Sequence, residues 1–379
     1  MEKTVFEVFE TVPDPRSGNG IRHKLCEILM IGLLTIICNG NEYSGMPIFA
    51  KTHEALLRTF LELPNGIPSQ DTFERVFQKV SPKYLAVAFK SWADDINEII
   101  RQQGSKVAVS IDGKTIRGSK RAGSKAIHVV TALASELRLT LGEIAVDKKS
   151  NEITAIPELL EMFCQKGMVI TIDAMGTQKD IAKKIIDKKA DYVLAVKRNQ
   201  EILYTDIELL LEYETFPMDK DILKENGLYE RTIEKGHGRI ETRECYISTA
   251  IDGLSRSEDW AGIAGFGVII TKREELGKAP TYSRCYFIFS LTDTNATELL
   301  KIKRSHWAIE NNLHCMLDVV FREDDSRAML GYSSENLNIM RKQALQLMKE
   351  EDSFKASMRM KRQRCGWDID YALLVLGVN

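Results

Sequence analysis

The hydrophobic period of the chain changes from helical to strand-like near residue 106, and this change restricts the fold most. Three strand-like runs then follow one another with short connections: Val107–Asp112, Ala126–Ala134 and Arg138–Val146. Two more apolar runs, one ending at Asp173 and one at Val196, each follow a segment with helical spacing. Hairpin-joined strands followed by crossover helices require a mixed sheet with helices on its faces. The order β-β-β-α-β-α-β therefore predicts an α/β domain built on such a sheet.

The residues before this sheet have the apolar spacing of helices and predict an all-helical N-terminal domain over residues 1–104. The longest apolar run, Ile28–Cys38, falls short of the roughly 20 residues that a membrane span needs, so we expect a buried helix. A turn then precedes a short helix that carries Arg75 and Lys79, which is the arrangement of a DNA-reading unit. The alternative, which we favour, is a helical cap packed on the next domain.

After the α/β pattern ends near residue 200, the rest of the chain divides into a strand-rich segment and a helical segment. After a helix the chain becomes polar and strand-like, and Lys235-Gly236-His237-Gly238 is typical of a hairpin turn. We therefore predict a first part of the α/β core over residues 105–200 and a β-rich insertion over residues 201–290. A second part of the core, residues 291–379, returns to helical spacing and ends in a basic segment. The alternative is that the last strands of the insertion join the main sheet.

Three acidic residues stand where a sheet and a helix would bring carboxylates together. Asp112 and Asp173 each end an apolar strand, and neighbouring strands would place them side by side at one edge of the sheet. Glu310 lies in an amphipathic helix, on its polar stripe. The other members of that stripe are Lys303, His306 and His314. Close carboxylates repel unless cations lie between them, and oxygen ligands favour Mg²⁺ or Mn²⁺ over zinc. Two such ions can support in-line phosphoryl transfer.

Basic residues follow the first of these acids and recur later in the chain. Residues 114–125 contain five cations and no acid: Lys114, Arg117, Lys120, Arg121 and Lys125. A second acid-free basic cluster lies in residues 355–364, and the hairpin contributes Lys235, His237, Arg239 and Arg243. Because the net charge of the whole chain is −2, binding to a polyanion must depend on such local clusters. The alternative for each cluster is a solvated surface.

Cysteine and histidine usage excludes several other classes of protein. The 7 cysteines are scattered without a C-x-x-C pair, which indicates reduced thiols and argues against a zinc ribbon. The 6 histidines give no cluster on an early strand that would form a histidine-rich metal site. The first residues lack the basic region and apolar core of a signal peptide. We therefore expect a cytoplasmic protein without a membrane segment.

Several motifs of the chain resemble those of one family of mobile-element proteins. Three of them surround the acids: I-D-G-K-T-I-R-G-S at 111–119, I-T-I-D-A-M-G-T-Q-K-D-I-A at 170–182, and H-W-A-I-E-N-N-L-H-C-M-L-D-V-V-F-R-E-D at 306–324. Others extend the likeness over nearly the whole chain: D-P-R near residue 14, N-G-I-P-S-Q-D-T-F at 65–73, and E-K-G-H-G-R-I-E at 234–241. The chain thus resembles the bacterial insertion-sequence DDE transposases, and most closely their ISAs group, the H-repeat-associated proteins.

The resemblance implies a ribonuclease-H-like core, split by a β-rich insertion before the glutamate helix. It implies an Mg²⁺- or Mn²⁺-dependent endonuclease that cuts DNA at terminal inverted repeats and joins it to target DNA. Asp112, Asp173 and Glu310 match the catalytic, metal-binding triad of the family. The residues expected to contact DNA are Lys114, Arg117, Lys120, Arg121, His237, Arg239, Lys303, His306, Trp307 and His314. A homodimer on DNA and an association with the bacterial nucleoid are further implications.

The chain departs from the wider class on the glutamate helix. Many relatives carry Tyr, Arg and Lys at seven before, four before and seven after the glutamate, where this chain has Lys303, His306 and Leu317. A protonated His306 can still contact a phosphate, but Leu317 cannot replace a lysine. Trp307 either stacks on an unpaired base or, as is more common, packs in the core. Two alternative functions are an inactive DNA-binding descendant and a ribonuclease-H-like nuclease without strand transfer.

Overall fold

The computed structural model describes residues 4–18, 20–90, 106–120, 125–134, 136, 139–146, 152–236 and 238–378. Within these residues the helices pack around a single mixed sheet of nine strands. Its strands are β1 (Val107–Thr115), β2 (His128–Ala134), β3 (Leu139–Val146), β4 (Met168–Ile172), β5 (Asp191–Val196), β6 (Tyr229–Gly236), β7 (Arg239–Ser248), β8 (Gly265–Glu275) and β9 (Thr281–Phe289). The strand order is β3-β2-β1-β4-β5-β9-β8-β7-β6. β4 is parallel to both β1 and β5, whereas the other neighbours are antiparallel. The predicted mixed α/β fold is confirmed.

The strands predicted as a β-rich insertion continue this sheet. β9 pairs with β5 through contacts such as Val193 opposite Phe289, and β8, β7 and β6 follow outward. Residues 201–290 are thus rich in strands, as predicted, and the observed pairing fits the alternative that the last of these strands join the main sheet. The local pattern could not distinguish this arrangement from a separate insertion, because hydrogen bonds between β5 and β9 join segments about 90 residues apart.

Helices cover both faces of the sheet and form a layer at one side. Before the sheet lie α1 (Val5–Glu10), α2 (Leu25–Ile37), α3 (Gly45–Thr52), α4 (Glu54–Leu57), α5 (Gln70–Lys79) and α6 (Pro82–Lys90). Between strands lie α7 (Glu152–Phe163), α8 (Lys179–Asp187), α9 (Glu201–Leu210) and α10 (Lys220–Glu225). After the sheet come α11 (Ala296–Ile309), α12 (Cys315–Val319), α13 (Ser333–Glu350), α14 (Met358–Trp367) and α15 (Ile369–Leu376). A π-helical turn, Glu310–His314, joins α11 to α12, and we call the continuous segment Ala296–Val319 the glutamate helix.

Alternation along the central strands sends successive side chains to opposite helix layers. Val109 and Ile170 pack in the apolar cluster that contains α7 and α8. Ala108 and Val169 pack instead in the cluster that contains Leu299, Leu300 and Ile302 of the glutamate helix. Even-numbered residues of β1 and odd-numbered residues of β4 therefore point toward the glutamate helix.

The N-terminal helices share one core with the glutamate helix and the C-terminal helices. Every residue of α2 is buried, as expected for a helix that is apolar on all sides. Its cluster includes Ile309, Leu313 and Leu317 of the glutamate helix. The boundary predicted near residue 104 is thus not a boundary between separate cores. No helix of the described residues is long and apolar enough to cross a membrane.

The helix that carries Arg75 and Lys79 packs on the C-terminal part of the chain. The Asn336 amide on α13 donates hydrogen bonds to the carbonyl oxygens of Phe77 and Val80, both at 2.8 Å. This contact fits the favoured prediction of a helical cap.

The basic C-terminal cluster is partly internal. Arg362 is buried and donates to the Ile36 carbonyl oxygen at 3.0 and 2.9 Å and to Asn41 Oδ1 at 2.8 Å. Lys361 is also buried and donates to the Met348 carbonyl oxygen at 3.0 Å. Two of the cations in residues 355–364 therefore tie helices together and do not face solvent, contrary to the prediction of a basic surface.

We expect Leu317→Ala to lower the free energy of unfolding by about 2–5 kcal/mol, because it leaves a cavity in the shared core. Leu317 is 0% exposed, whereas Val319, two residues later, is 69% exposed. Val319→Ala is the matched control and should change the free energy by less than about 0.5 kcal/mol. Urea unfolding followed by circular dichroism measures both, and equal losses in the two variants would contradict the shared core.

Candidate active site

Asp112 and Asp173 lie side by side on neighbouring strands. Ile111 of β1 is paired with Ile172, the last residue of β4, so Asp112 in β1 lies beside Asp173, which directly follows β4. By the alternation described above, both side chains point toward the glutamate helix. β1 does not end at Asp112, as the sequence suggested, but continues through Gly113 to Thr115 in its pairing with β2. The parallel pairing with β4, however, ends at Ile111.

The glycine after Asp112 is required by close packing and does not interrupt the strand. A Cβ atom at Gly113 would overlap His128 Nε2 and Glu152 Oε1, both of which are buried. These two atoms lie 2.5 Å apart, and the other ring nitrogen of His128 is 2.8 Å from Thr115 Oγ1. Sequence reasoning missed this pair, because nothing in the local patterns joins a strand histidine to the first residue of a distant helix.

Asp173 is held by the backbone of the turn that follows β4. Its Oδ1 accepts hydrogen bonds from the N–H groups of Met175 at 3.0 Å and Gly176 at 3.3 Å. A side chain at Gly176 would overlap Ile172 and Ile156, so this turn can lie close to the strand end only with glycine. The carboxylate therefore has a defined direction before any ligand arrives.

Glu310 reaches the same place from the helix layer. It begins the π-helical turn that interrupts the glutamate helix, and its Oε2 lies 3.1 Å from His314 Nδ1. The same nitrogen lies 3.5 Å from Asp112 Oδ2. One donor atom from each of Asp112, Glu310 and His314 lies within 4.8 Å of the others. The structure thus brings residues together that are almost 200 positions apart.

The pKa values reflect this convergence. Burial, the largest cause, and the nearby carboxylates of Asp173, Glu310 and Glu152 together raise the pKa of Asp112 to about 6, against a backbone hydrogen bond that lowers it. Burial lowers the pKa of His314 to about 4, although Glu310 opposes that shift. His314 is therefore neutral near pH 7. Its predicted role as a DNA contact does not fit its position, because its polar contacts are with the acids.

Three predicted DNA contacts are turned toward the interior: Lys303 and His306 are buried, and the side chain of Lys114 is 10% exposed. Lys114 Nζ forms ion pairs with Asp318 Oδ1 at 2.5 Å and with Glu323. His306 Nδ1 lies 3.0 Å from Thr171 Oγ1, and burial lowers the pKa of His306 to about 3. Lys303 is buried on the same helix. These positions correct the prediction that Lys114, Lys303 and His306 face phosphates, since charge runs in sequence do not show which side chains turn inward.

The partners of Lys114 form a buried network that the sequence did not indicate. Glu323 is fully buried, accepts a hydrogen bond from Asn338 at 2.7 Å and lies 3.8 Å from Arg341. Burial acts to raise the pKa of Glu323, but the charges of Lys114 and Arg341 outweigh it and keep that pKa below its ordinary value. Glu323, which follows the glutamate helix in an acidic run, is thus an internal residue at the centre of this network.

Other predicted DNA contacts are exposed. Arg117 is 82% exposed at its side chain, 3.6 Å from Asp324, and Lys120 is exposed nearby. Trp307 is 38% exposed, so it is not the core residue that its neighbours suggested, and it lies one turn before Glu310. Arg239 is 2.8 Å from Glu241 at the far hairpin. Arg121 and His237 lie outside the described residues.

Leu317, at the position where the family resemblance led us to expect lysine, is a core residue in the cluster shared with the N-terminal helices. The π-helical turn adds to the spacing between Glu310 and the residues that follow, so a residue seven positions later does not return to the side of the acids. Asp318 occupies that side, and the cation beside it is Lys114 from β1.

Comparison with known proteins assigns the chain to a family. Residues 103–344 match the family described as Transposase DDE domain, and residues 6–93 match the family described as DDE_Tnp_1-associated. The chain belongs to the Transposase DDE domain family. Two relatives from Escherichia coli (strain K12), Putative protein YbfL and H repeat-associated putative transposase YhhI, are each 36% identical to it over 380 residues. Each alignment covers 99% of this chain and 98% of the relative. The predicted membership of the H-repeat group of bacterial DDE transposases is confirmed.

Among solved structures, the cryo-EM structure of a piggyBac transposase synaptic complex with hairpin DNA matches this DDE family member with a TM-score of 0.43. The match has 12% sequence identity and covers 98% of this chain and 80% of the other.

The DDE family implies a divalent cation, and the residues present fit one. The donor atoms of Asp112, Glu310 and His314 are close enough to share an ion, and Asp173 adds a carboxylate beside them. Carboxylate oxygens are ligands that Mg²⁺ and Mn²⁺ accept. Burial is the largest cause of the raised pKa of Asp112, and the neighbouring carboxylates add to it; a cation among them would offset both effects.

We expect Asp112→Asn to make the protein more stable than the wild type at pH 7 in EDTA. Because the folded-state pKa of Asp112 is about 6, above its ordinary value of 3.8, the wild type loses free energy of unfolding as the pH rises from about 4 to 6. Asparagine does not ionise, so the variant does not lose this free energy of unfolding as the pH rises. The stability difference should grow by about 1–3 kcal/mol between pH 4 and pH 7. Urea midpoints across this range measure it, and a difference that does not change with pH would contradict the shifted pKa.

Proposed function

We propose that this H-repeat family member cleaves DNA at the ends of an insertion sequence and transfers the resulting strands to target DNA. The reaction would be a phosphoryl transfer at one site formed by Asp112, Asp173 and Glu310. The observation that carries the proposal is the meeting of these three carboxylates, from two strands and a helix, at one side of the sheet. Structural acids are usually paired with cations, whereas these lie against one another.

The position of each of the three carboxylates is fixed by different contacts. Asp173 is fixed by backbone N–H groups, and Asp112 is fixed by its position inside a paired strand. Glu310 is the exposed member, and its carboxylate contacts His314 Nδ1 at 3.1 Å. The acids would hold Mg²⁺ or Mn²⁺, which when bound activates the attacking oxygen and neutralises the leaving oxygen. A pair of ions is the arrangement expected for three carboxylates that serve both oxygens.

The DNA would approach over the exposed side of this site. Arg117 and Lys120 lie on the segment that follows β1, and Trp307 lies on the glutamate helix one turn before Glu310. The two cations can neutralise phosphates, and the indole can stack on an unpaired base near the cut strand. The expected substrates are the terminal inverted repeats of the element and a target duplex. A homodimer on DNA is part of the proposal, since two ends must be held together, and so is a cytoplasmic, nucleoid-associated location.

Two other functions are outcomes of the same test. An inactive DNA-binding descendant would bind a duplex that carries the element ends without cutting it. A nuclease without strand transfer would cut this duplex but yield no joined product. Incubation of the full chain with such a duplex, a target plasmid and Mg²⁺ or Mn²⁺ distinguishes the three, because bound, cut and joined DNA separate on a gel.

We expect Asp112→Asn, Asp173→Asn and Glu310→Gln each to reduce cleavage at least ~100-fold while leaving DNA affinity within a few-fold. Each change removes a metal ligand but keeps the shape of the side chain and the basic surface. The control is Asp325→Asn, which changes an exposed carboxylate 2.9 Å from Arg322 and should cut normally. Near-normal cleavage by any one of the three variants would refute its place in the site.

We expect Arg117→Ala combined with Lys120→Ala to weaken binding to unrelated DNA sequences. Loss of two phosphate contacts should reduce the slope of log affinity against log salt by about 1.8, at about 0.9 per contact. The matched control is Lys184→Ala combined with Lys188→Ala, which removes the same charge from two lysines that pair with Glu161. These lie on and just after α8, before β5 begins, at the edge of the sheet opposite the acids. An equal slope in both double variants would show that residues 117–120 do not contact phosphate.

A further inference from the structure

His314 is a buried side chain whose recorded polar contacts are the acids of the proposed site. Its side chain is 5% exposed, and Nδ1 lies 3.1 Å from Glu310 Oε2 and 3.5 Å from Asp112 Oδ2. The other ring nitrogen, Nε2, is buried without a hydrogen-bond partner in the described part of the chain. Among the described residues, two carboxylates contact Nδ1 of this buried imidazole, and no hydrogen bond offsets the desolvation of Nε2.

The spacing of these donors is that of neighbouring ligands around one small cation. In an octahedral site with bonds of ~2.1 Å, adjacent donor atoms lie ~3.0 Å apart, and wider angles lengthen that distance. The two distances from His314 Nδ1 fall close to this value, and all three donor atoms lie within 4.8 Å of one another. An ion placed among them would therefore meet two oxygens and a nitrogen.

The local backbone explains how a histidine comes to lie there. The π-helical turn runs from Glu310 to His314 and is closed by the bond from Cys315 N–H to the Glu310 carbonyl oxygen. π-Helical turns are rare in proteins, but those that occur are often found at functional sites, because the wider turn redirects side chains. Leu313, within the same turn, still packs in the shared core. The turn therefore keeps the apolar side of the helix in place while Glu310 and His314 both face Asp112.

We propose that His314 is a metal ligand of this site, joining Asp112 and Glu310 through Nδ1. The inference rests on the proposed function, and it replaces the oxygen-only ligand set that the sequence suggested. A nitrogen ligand favours first-row transition ions over Mg²⁺, because imidazole binds them more strongly than it binds a hard ion that prefers oxygen. The site would accordingly take Mn²⁺ in preference to Mg²⁺, and His314 would set that preference.

The test is pulsed electron paramagnetic resonance of Mn²⁺ bound to the full chain without DNA. We expect a ¹⁴N coupling typical of a directly bound imidazole in the wild type, and its replacement by a ¹⁵N coupling when histidine is ¹⁵N-labelled. His314→Ala should remove the coupling and weaken Mn²⁺ binding by at least ~10-fold, with a smaller effect on Mg²⁺ binding measured by calorimetry. The matched control is His306→Asn, a change of the buried histidine two turns earlier on the same helix, which should retain the nitrogen coupling.

A wild-type spectrum without nitrogen coupling would overturn the ligand role whether or not any variant folds, and the variants assign an observed coupling to His314. Mn²⁺ that binds in an Asp112-dependent manner without nitrogen coupling would overturn the ligand role of His314 and leave the proposed function intact. His314 would then serve only as a hydrogen-bond donor to Glu310. Mn²⁺ binding that Asp112→Asn does not weaken would instead refute the cation site itself, and with it both proposals.

Discussion

Carboxylates within a few ångströms of one another repel, and this repulsion is the constraint on which the arrangement of the whole chain depends. Its effect is visible at Asp112, where burial and the neighbouring charges of Asp173 and Glu310 raise the pKa to about 6. A flexible chain would separate such groups. Here the sheet holds two of them at adjacent positions of β1 and β4, and a helix packed on both the sheet and a separate helical layer holds the third. The site therefore stores unfavourable energy that the surrounding core must offset, and bound cations would release it.

Internal ion pairs hold together the segments that carry the acids. Lys114 leaves β1 two residues after Asp112 and joins the segment after the glutamate helix through Glu323, which in turn faces Arg341. Lys342 lies 2.9 Å from Thr131, the residue paired with Asp112 across β1 and β2. These positive charges lie around the acids without pairing with them directly. Removal of one partner from such a network leaves an uncompensated buried charge, which typically costs 3–5 kcal/mol. The same lysine that looked like a phosphate contact in the sequence thus joins the two halves of the site.

Patterns confined to one element could be predicted from the sequence, and contacts between distant elements could not. The strand that contains Asp112 and the strand that leads to Asp173 are predicted by runs of apolar and β-branched residues, and the polar stripe that contains Glu310 is predicted by helical spacing. The inward direction of Lys114 and His306 depends on Glu323 and Thr171, which lie far away in the chain. Nothing local distinguishes a buried cation from a solvated one. The π-helical turn was likewise invisible, because its residues have ordinary helical propensities and only its surroundings select it.

The N-terminal helices support the proposed site by packing against the glutamate helix. The glutamate helix turns Glu310 toward the sheet, and on its other side Ile309, Leu313 and Leu317 pack among residues of α2 and its neighbours. An α/β core without this layer would expose a wide apolar face, and the helix would lose the support that fixes its rotation. Arg362 strengthens the same layer, because it binds the last turn of α2 and lies over the ring of Phe321. The direction of the one exposed carboxylate of the site is therefore set by side chains at both ends of the chain.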